Sequence, residues 1–469
     1  MTHPCTRVAV IGAGPAGFFS AEALLKSGDP VEIDIINRLP APYGLVRDGV
    51  APDHQAIKSV ARVYSRLLAR DEVRYFGNVT LGVDASLDEL RARYDQIVYA
   101  VGAQSDRRLG IPGEDLAGSH AAFRFVAWYN GHPEFRGAQF DLDCEDVVVI
   151  GNGNVAIDVS RILVLSLDRL ATTDIADHAL AALRGSRVRR VTVLGRRGPA
   201  QASFTNPELR EFGRLDGVCA RVDADELDLD PASEAALEGN AVKTRNMATL
   251  RGYASAAPED GDRVVRFRFL ASPLEVLGED GRVTGVRIER NRLVEQEDGY
   301  MRAVGTGETE VVPCGMVIRS VGYRGVPIPG VPFDERRGIV PNEGGRVVRV
   351  AGGGEVVPGE YVVGWAKRGP SGVIGTNKAD AAATVALMIE DREAGIVAGS
   401  AEGGAGAAGA EAPSGDLADL LRERGVRRVD EAGWRRLDAH ETARGKAEGR
   451  PRVKLCTVEE MLAIAGSAE

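Results

Sequence analysis

A strand, a glycine-rich turn and a helix follow one another twice in this chain, and this repeat limits the fold more than any other feature. The first copy is an apolar run at residues 8–11, the turn GAGPAG and a helical pattern at 16–26. A second strand pattern at 31–36 completes a βαβ unit. The other copy begins at Val147 with VVVIGNGNVAIDVSRILVL. Because such units build parallel sheets covered by helices, the sequence predicts an α/β protein with two Rossmann-like dinucleotide-binding domains.

The first turn has the spacing G-x-G-x-x-G, with its glycines at Gly12, Gly14 and Gly17. The first glycine permits the tight turn, the second lets a pyrophosphate approach the backbone, and the third lets helix and strand pack closely. The helix N-terminus then stabilises the phosphate charge. An acidic residue about 20 positions further on usually binds a ribose hydroxyl. Asn37, an uncharged acceptor, occupies that position here, and Asp34 lies earlier on the same strand.

The second turn has the related spacing G-x-G-x-x-A, at Gly151, Gly153 and Ala156. The strand after its helix ends at Gly195, and the arginines Arg196 and Arg197 follow. An NAD site would carry a carboxylate there, whereas two guanidinium groups match the charge and shape of a 2′-phosphate. The second site is therefore predicted to prefer NADPH to NADH.

Composition argues against several other classes of protein. The net charge of −10 disfavours nucleic acid as the main partner. No apolar run reaches the roughly 18 residues of a membrane span, and the N-terminus lacks the pattern of a signal peptide, so we expect a cytoplasmic protein. The five cysteines form no C-x-x-C pair, which disfavours an iron–sulfur cluster, a zinc site or a redox dithiol, and no metal is predicted.

Longer segments point to one family. They are LPAPYGLVRDGVAPDHQAIKSV (39–60), VGAQSDRRLGIPGED (101–115), GNGNVAIDVSRIL (151–163), GRRGPAQASFTNPELRE (195–211), GWAKRGPSGVIGTNKADA (364–381) and GRPRVKL (449–455). Together they resemble adrenodoxin reductase and its bacterial NADPH–ferredoxin reductase relatives. The likeness covers nearly the whole chain and omits only the Ala/Gly-rich residues 395–415.

The resemblance implies two Rossmann-like domains of three-layer ββα type, with the NADP domain inserted in the FAD domain. The expected boundaries are an FAD domain at 1–105 and 331–394, an NADP domain at 106–330, and a C-terminal helical tail at 416–469 that packs on the FAD domain. The Ala/Gly-rich composition of residues 395–415 predicts a flexible linker there.

The same resemblance implies the cofactor contacts. With the glycines of the first turn, those for FAD are Ala16, Asn37, Leu45, Leu81, Trp365, Gly372, Val373 and Ile374. Those for NADP are Asn152, Gly153, Asn154, Val155, Arg196, Arg197 and Glu208, with Gly372 near the nicotinamide. Trp365 stands where many related flavoproteins carry an aspartate, and its indole is expected to pack on the flavin or the nicotinamide.

The implied reaction moves a hydride from NADPH to FAD and then single electrons to an acidic ferredoxin, in a monomer that could supply a cytochrome P450. His54, Asp158 and Glu211 match polar active-site positions of the family, where they would position the nicotinamide or relay a proton. Losing any one of them should damage the activity and not abolish it. Ferredoxin is expected to dock near Lys243, Arg245 and Arg251.

Several alternatives stay open at this level. The acceptor could be a flavodoxin, a quinone or a dye, or the chain could be a non-catalytic, NADP-binding relic, which the uncharged Asn37 makes conceivable. A disulfide reductase and a glutamate-synthase-like reductase are disfavoured because they would need cysteine motifs that the sequence lacks. A flavin monooxygenase would need an organic-substrate pocket, which the sequence does not indicate.

Overall fold

A computed structural model describes residues 5–399 and 415–466. The chain forms two compact units. The first unit comprises residues 1–50, 54–105 and 322–469, and the second comprises 51–53 and 106–321. The chain thus returns to the first unit at Gly322, whereas the sequence places this boundary after residue 330.

Strands and helices alternate through most of the chain. The strands are β1 (Thr6–Ile11), β2 (Val31–Asn37), β3 (Val73–Gly77), β4 (Gln96–Tyr99), β5 (Ser105–Asp106), β6 (Ser119–Ala121), β7 (Asp146–Ile150), β8 (Arg190–Leu194), β9 (Val218–Val222), β10 (Arg263–Arg268), β11 (Ala271–Glu279), β12 (Arg282–Glu295), β13 (Met301–Pro313), β14 (Met316–Arg319), β15 (Tyr323–Arg324), β16 (Asn342–Glu343), β17 (Arg346–Val348) and β18 (Val356–Val362). The helices are α1 (Pro15–Lys26), α2 (Leu45–Asp48), α3 (Gln55–Lys58), α4 (Ala61–Leu68), α5 (Leu87–Arg91), α6 (Ala122–Tyr129), α7 (Asn154–Val164), α8 (Leu167–Ala171), α9 (Asp177–Arg184), α10 (Asn206–Glu211), α11 (Pro231–Ala235), α12 (Ala241–Ala254), α13 (Trp365–Arg368), α14 (Thr376–Glu393), α15 (Leu417–Glu423), α16 (Glu431–Ala447) and α17 (Val458–Ala465).

The first unit is built on a seven-stranded sheet in the order β16-β17-β18-β4-β1-β2-β3. Its strands β18 to β3 are parallel, and β16 and β17 extend one edge in antiparallel pairing. Alternate residues of β1 enter two different apolar clusters, Val8 and Val10 on one face and Ala9 and Ile11 on the other. Because successive side chains of a strand point to opposite faces, the sheet is buried on both sides.

The helices of the C-terminal tail contribute to the core of the first unit. Trp434 and Leu437 of α16 and Met461 and Leu462 of α17 lie in the same apolar cluster as Val8 and Val10. Leu417 of α15 lies in the cluster on the other face. The tail therefore packs on both faces of the sheet.

The second unit contains a six-stranded parallel sheet in the order β6-β14-β7-β8-β10-β9. Strands β11, β12 and β13 form a separate antiparallel sheet. Its residues Val276, Val286 and Ile288 share an apolar cluster with Val148 and Ile150 of β7. Helix α7 contacts β7, β8 and β10. The unit therefore consists of sheet, sheet and helix layers.

The expected linker falls partly outside the described residues, which omit 400–414. Ala398, near its start, is buried, and its N–H donates to the carbonyl of Asp95 at 2.7 Å. Residues 395–399 are thus part of the first unit. Within the described ranges, no helix combines the length and the apolar character needed to cross a membrane.

Candidate functional site

The first glycine turn connects β1 to α1, and each of its glycines has a different environment. A Cβ on Gly12, whose φ is +114°, would lie 2.5 Å from the carbonyl oxygen of Ala100. A Cβ on Gly17 would lie 2.1 Å from the carbonyl oxygen of Gly12. Gly14, the residue before α1, has nothing within 4 Å of that position. Only Gly14 therefore leaves open space at the helix N-terminus, where a phosphate binds favourably.

Asn37, at the end of β2, connects the glycine turn to the following loop. Its side-chain oxygen accepts from the N–H of Ala13 at 3.2 Å, and its Nδ2 donates to the carbonyls of Leu39 and Ala41 at 2.8 and 3.1 Å. A carboxylate could not donate these two hydrogen bonds. The amide therefore suits this loop, and its oxygen keeps a second lone pair that can accept from a ribose hydroxyl.

The carboxylate of Asp34, also on β2, already accepts hydrogen bonds from two other side chains. It is 2% exposed and accepts from Tyr94 Oη at 2.5 Å. Arg74 donates to both of its oxygens, at 2.7 and 2.6 Å. Asp34 is thus a buried structural anion, so it does not replace Asn37 as a ribose acceptor.

A second glycine-rich turn in the first unit, residues 364–375, precedes α14 and includes the short helix α13. Trp365 is half-buried, its Nε1 donates to the carbonyl of Ser371 at 3.1 Å, and its ring lies 5.3 Å from that of Tyr323. Val373 is 62% exposed although it is apolar. A Cβ on Gly364 would lie 2.6 Å from the Cβ of Ala16. The turn thus lies beside the start of α1 and leaves an indole and an apolar side chain accessible.

Asp380 holds this turn in place, a role that the sequence did not suggest. Its Oδ2 accepts from the N–H of Gly364 at 2.6 Å and from Arg368 at 3.1 Å. Lys367 lies 3.0 Å from its Oδ1. Asp380 is on α14, one turn after its start. The sequence offers one sign of this role, an acidic residue near a helix start in the segment NKADA. Such residues are too common to indicate a specific role.

Three further predicted residues lie in the first unit. Leu45 begins α2, and Leu81 is partly buried against the cluster that contains Ala9. His54 is half-buried and precedes α3, where its carbonyl accepts from the N–H groups of Ile57 and Lys58 at 3.1 and 3.2 Å. These contacts fix the backbone at His54.

The second glycine turn, between β7 and α7, repeats the geometry of the first. A Cβ on Gly151 would lie 2.1 Å from the carbonyl oxygen of Ser320, whereas Gly153 has nothing within 4 Å. Ala156 is fully buried, so a methyl group fits where the first turn needs glycine. The open position again lies directly before a helix.

The loop after β8 is attached to this second turn. Asn154 Oδ1 accepts from the N–H of Thr205 at 2.8 Å, and the carbonyl of Asn152 accepts from the N–H of Ser203 at 3.2 Å. Val155 is half-buried in the first turn of α7. The asparagines of the GNGN segment therefore hold the arginine loop next to the glycine turn.

Arg196 and Arg197 begin that loop with their charges uncompensated. Arg196 is exposed and Arg197 is half-buried. Neither guanidinium forms an ion pair or a hydrogen bond with any residue of the described ranges, and the guanidinium carbon of Arg197 lies over the ring of Tyr300, 5.4 Å from its centre. Two adjacent cations free of carboxylates at a strand end form a suitable site for a doubly charged phosphate.

A buried arginine that the sequence analysis missed gathers three of the predicted residues. Arg161 of α7 is fully buried and donates to Asp158 at 2.8 Å, and it lies 3.2 Å from Glu211 and 3.6 Å from Glu208. It also donates to both oxygens of Asp53, at 2.7 and 3.1 Å. Burial would lower the pKa of Arg161, but these carboxylates outweigh it and raise the pKa. Arg161 therefore stays charged and orients four acidic side chains.

The three predicted docking residues lie on α12 and differ in exposure. Lys243 is half-buried in the first turn of the helix. Arg245 and Arg251 are exposed. No ion pair holds any of these three side chains within the described ranges. Arg245 and Arg251 are thus more accessible to a partner than Lys243.

The cysteines are free thiols. Burial raises the pKa of Cys144 and of Cys456 to about 11 and that of Cys314 to about 12. Because the thiolate is the reactive form, these three groups are poorly suited to redox exchange at neutral pH.

Comparison with known proteins agrees with this geometry. A family model described as pyridine nucleotide-disulphide oxidoreductase matches residues 6–212. The chain is 48% identical over 462 residues to the NADPH-ferredoxin reductase FprA of Mycobacterium tuberculosis, across 97% of this chain and 98% of that protein. It is 42% identical to the mitochondrial NADPH:adrenodoxin oxidoreductase of Arabidopsis thaliana, across 98% and 95% of the two chains.

A solved structure extends the likeness to the fold. The structure of Mycobacterium tuberculosis FprA in complex with NADPH superposes with a TM-score of 0.90 at 47% identity, and it covers 98% of this chain and all of that one. The predicted family and the predicted α/β fold with parallel sheets are confirmed. The chain belongs to the family of NADPH–ferredoxin reductases that includes the adrenodoxin reductases.

Proposed function

We propose that this chain is an FAD-dependent NADPH–ferredoxin reductase, in which the first unit binds FAD and the second binds NADPH. One observation carries the proposal: each unit has a glycine turn whose middle glycine alone is open at a helix N-terminus, and only the second turn is followed by two arginines that pair with no carboxylate of the described residues. The first arrangement suits a dinucleotide pyrophosphate, and the second adds a 2′-phosphate site.

The first unit would bind FAD through both of its glycine turns. The proposed contacts are Gly12, Gly14, Ala16, Gly17, Asn37, Leu45, Leu81, Trp365, Gly372, Val373 and Ile374. Support comes from the open space at Gly14, the partly exposed indole of Trp365 and the exposed Val373. The start of α14 would place a helix N-terminus near any negative charge on the bound ring. FAD, when bound, supplies the conversion from a two-electron donor to a one-electron acceptor.

The second unit would bind NADPH through the GNGN turn and the arginine loop. The proposed contacts there are Asn152, Gly153, Asn154, Val155, Arg196, Arg197 and Glu208. Asn154 and Asn152 support this by holding the loop beside the turn. Arg196 and Arg197 would select the phosphorylated nucleotide, because no carboxylate in the described part of the chain competes for them.

His54, Asp158 and Glu211 would tune the reaction and not carry a bond-making step. Asp158 and Glu211 are oriented by Arg161, and the backbone of His54 is fixed by α3. These groups would position the nicotinamide or hold a proton near it, and Trp365 would cover the reacting ring. Arg161 is proposed as their positioning residue.

The proposed acceptor is an acidic ferredoxin that docks near Arg245 and Arg251, with Lys243 in a lesser role. Exposed cations without ion pairs are the residues that such a partner can neutralise. A ferredoxin reduced in this way could supply a cytochrome P450.

The test is an anaerobic titration of the purified protein with NADPH and with NADH, followed through the flavin absorbance between roughly 350 and 500 nm. We expect NADPH to bleach the band at far lower concentration than NADH, and oxidised ferredoxin to restore it. Absence of a flavin band would sink the proposal. If a flavodoxin, a quinone or a dye restores the band and ferredoxin does not, the acceptor is a different one. Equal responses to both nucleotides would refute the role of Arg196 and Arg197 alone.

A further inference from the structure

The hairpin formed by β12 and β13 touches the arginine loop at several points, although about 100 residues separate them along the chain. Asn291 is 4% exposed, and its Nδ2 donates to the carbonyl of Arg196 at 2.8 Å. The N–H of Leu270, before β11, donates to the carbonyl of Arg197 at 3.1 Å. A Cβ on Gly198 would lie 3.4 Å from Cδ1 of Leu293. The small antiparallel sheet thus determines where the arginine loop lies.

Tyr300, at the tip of this hairpin, is the only residue of the described ranges whose aromatic ring lies under the guanidinium of Arg197, with 5.4 Å between the guanidinium carbon and the ring centre. Its backbone is fixed on both sides. The carbonyl of Tyr300 accepts from Gln296 at 2.9 Å, and its N–H donates to Asp298 Oδ1 at 3.0 Å. Gly299, with φ of +77°, forms the turn before it. The ring therefore stands at a defined position although it is 45% exposed.

Stacking restrains an arginine without using its hydrogen-bond donors. A guanidinium that lies over an aromatic ring is attracted through its face, and its N–H groups at the edge stay available for a phosphate. A carboxylate partner would instead occupy those donors and cancel the charge. Tyr300 thus supplies the one kind of contact that orders Arg197 and leaves it able to bind an anion.

We propose that Tyr300 is a positioning residue for the 2′-phosphate of NADPH, acting through Arg197, and that it contributes to the preference for NADPH over NADH. This inference rests on the proposed function, because it assumes that Arg196 and Arg197 receive the 2′-phosphate. It adds to that function a selectivity element from a hairpin outside both nucleotide-binding motifs.

The experiment compares Tyr300→Leu, which keeps apolar bulk but removes the aromatic ring, with Tyr300→Phe, which keeps the ring. Val311→Ala is the matched control, because Val311 is also exposed, at 52%, on the same hairpin and belongs to no part of the proposed site. Calorimetry measures the dissociation constants of adenosine 2′,5′-bisphosphate and of ADP on the purified flavoprotein. Steady-state assays give KM and kcat for NADPH and for NADH.

We expect Tyr300→Leu to weaken adenosine 2′,5′-bisphosphate about two- to five-fold, the size of a partly exposed cation–π contact, and to leave ADP unchanged. KM for NADPH should rise by a similar factor with kcat unchanged, and Tyr300→Phe and Val311→Ala should behave as wild type. Flavin content and circular dichroism, unchanged in Tyr300→Leu, exclude a folding defect.

Two results would overturn the inference alone. One is a ratio of the two dissociation constants in Tyr300→Leu that equals the wild-type ratio with neither constant changed. The other is an equal increase in both dissociation constants, which would mean that the ring contacts the adenine. A wild-type protein that binds both ligands equally would instead refute the nucleotide preference in the proposed function, and the role of Tyr300 with it.

Discussion

Arg47 and Glu441 are 394 positions apart in the chain and form a buried ion pair with two hydrogen bonds, at 2.8 and 2.6 Å. Their side chains are 5% and 0% exposed. The carboxylate of Glu441 also accepts from Arg452 at 3.1 Å and from the N–H of Leu455 at 2.9 Å. The pair thus joins the GLVRDG segment (44–49) to α16 of the tail inside the core of the first unit.

Glu441→Gln should strongly destabilise the first unit. The substitution leaves Arg47 buried without its counter-charge, and the loss of one partner of a buried pair typically costs about 3–5 kcal/mol. Urea unfolding followed by tryptophan fluorescence measures it, because Trp434 lies beside Arg47, with 5.7 Å from the guanidinium to the ring centre. Glu22→Gln, which breaks an exposed pair with Lys26, is the control and should change little. If both substitutions lowered the free energy of unfolding equally, the buried ion pair would not be the source of this stability.

The same pair predicts a loss of stability in acid. Burial alone would raise the pKa of Glu441, but Arg47 and Arg452 outweigh it and lower the pKa below the ordinary value of 4.5. A lowered pKa in the folded state contributes stability above that ordinary value, and the contribution is lost as the pH falls through the folded pKa. The difference in unfolding midpoint between wild type and Glu441→Gln should therefore be constant above about pH 5 and shrink below it. A constant difference down to about pH 3 would exclude this explanation.

The sequence could predict what depends on local spacing. The motifs within each βαβ unit predict both glycine turns, the helices after them and the pair Arg196 and Arg197. The structure contains these elements where the sequence places them. Helix α16 was not predicted individually, because Glu441 interrupts the apolar face that Trp434 and Leu437 begin. Its charge is stabilised by Arg47, and a partner so distant in the chain leaves no local pattern.

Strand β13 of the hairpin that carries Tyr300 was missed for a different reason. Strand β13 has 13 residues, of which none is buried, so it lacks the alternation of apolar and polar residues that marks a half-buried strand. The roles of Asp380 and Arg161 could likewise not be predicted, because each acts through partners that only the fold brings close. Local motifs thus indicate the candidate nucleotide sites, whereas the residues that hold those motifs in place are determined by tertiary packing.

Replacing the open glycines should separate folding from cofactor binding. Gly14 and Gly153 have extended backbones, with φ of −91° and −95°, and nothing lies where a Cβ would go. Gly14→Ala should therefore fold normally and retain less FAD, because the methyl group would occupy the space of a pyrophosphate. Gly153→Ala should keep its FAD and show a raised KM for NADPH.

The matched control for this pair is Gly17→Ala. Its Cβ would lie 2.1 Å from a backbone oxygen, so this variant should lose stability as well as FAD. Flavin absorbance per protein and thermal unfolding of all three variants provide the readouts. Normal FAD content in Gly14→Ala would mean that the first turn does not contact the cofactor.

Asp380→Asn should loosen the turn that presents Trp365. The change removes the negative charge that Lys367 and Arg368 share, and it leaves one carbonyl oxygen to accept from the N–H of Gly364. We expect faster loss of FAD on dilution and a shifted tryptophan emission. Glu390→Gln on the same helix is the control, because Glu390 is 66% exposed and pairs with Arg346 away from the turn. A normal FAD dissociation rate in Asp380→Asn would refute this role.

Charge reversal on α12 should distinguish the exposed cations from the half-buried one. Because Arg245 and Arg251 are exposed and form no ion pairs within the described ranges, Arg245→Glu and Arg251→Glu should raise KM for an acidic ferredoxin several-fold at low ionic strength. Lys243→Glu makes the same change in charge at a half-buried position, so its effect on ferredoxin should be smaller. Reduction of a small neutral dye by NADPH should stay normal in all three, because docking is not needed there. Added salt should reduce the differences in KM for ferredoxin between these variants and wild type, because exposed charges are screened over roughly 8–10 Å. If Lys243→Glu impairs ferredoxin reduction most, exposure does not determine which of these cations contacts the partner. If none of the three changes it, docking takes place elsewhere on the protein.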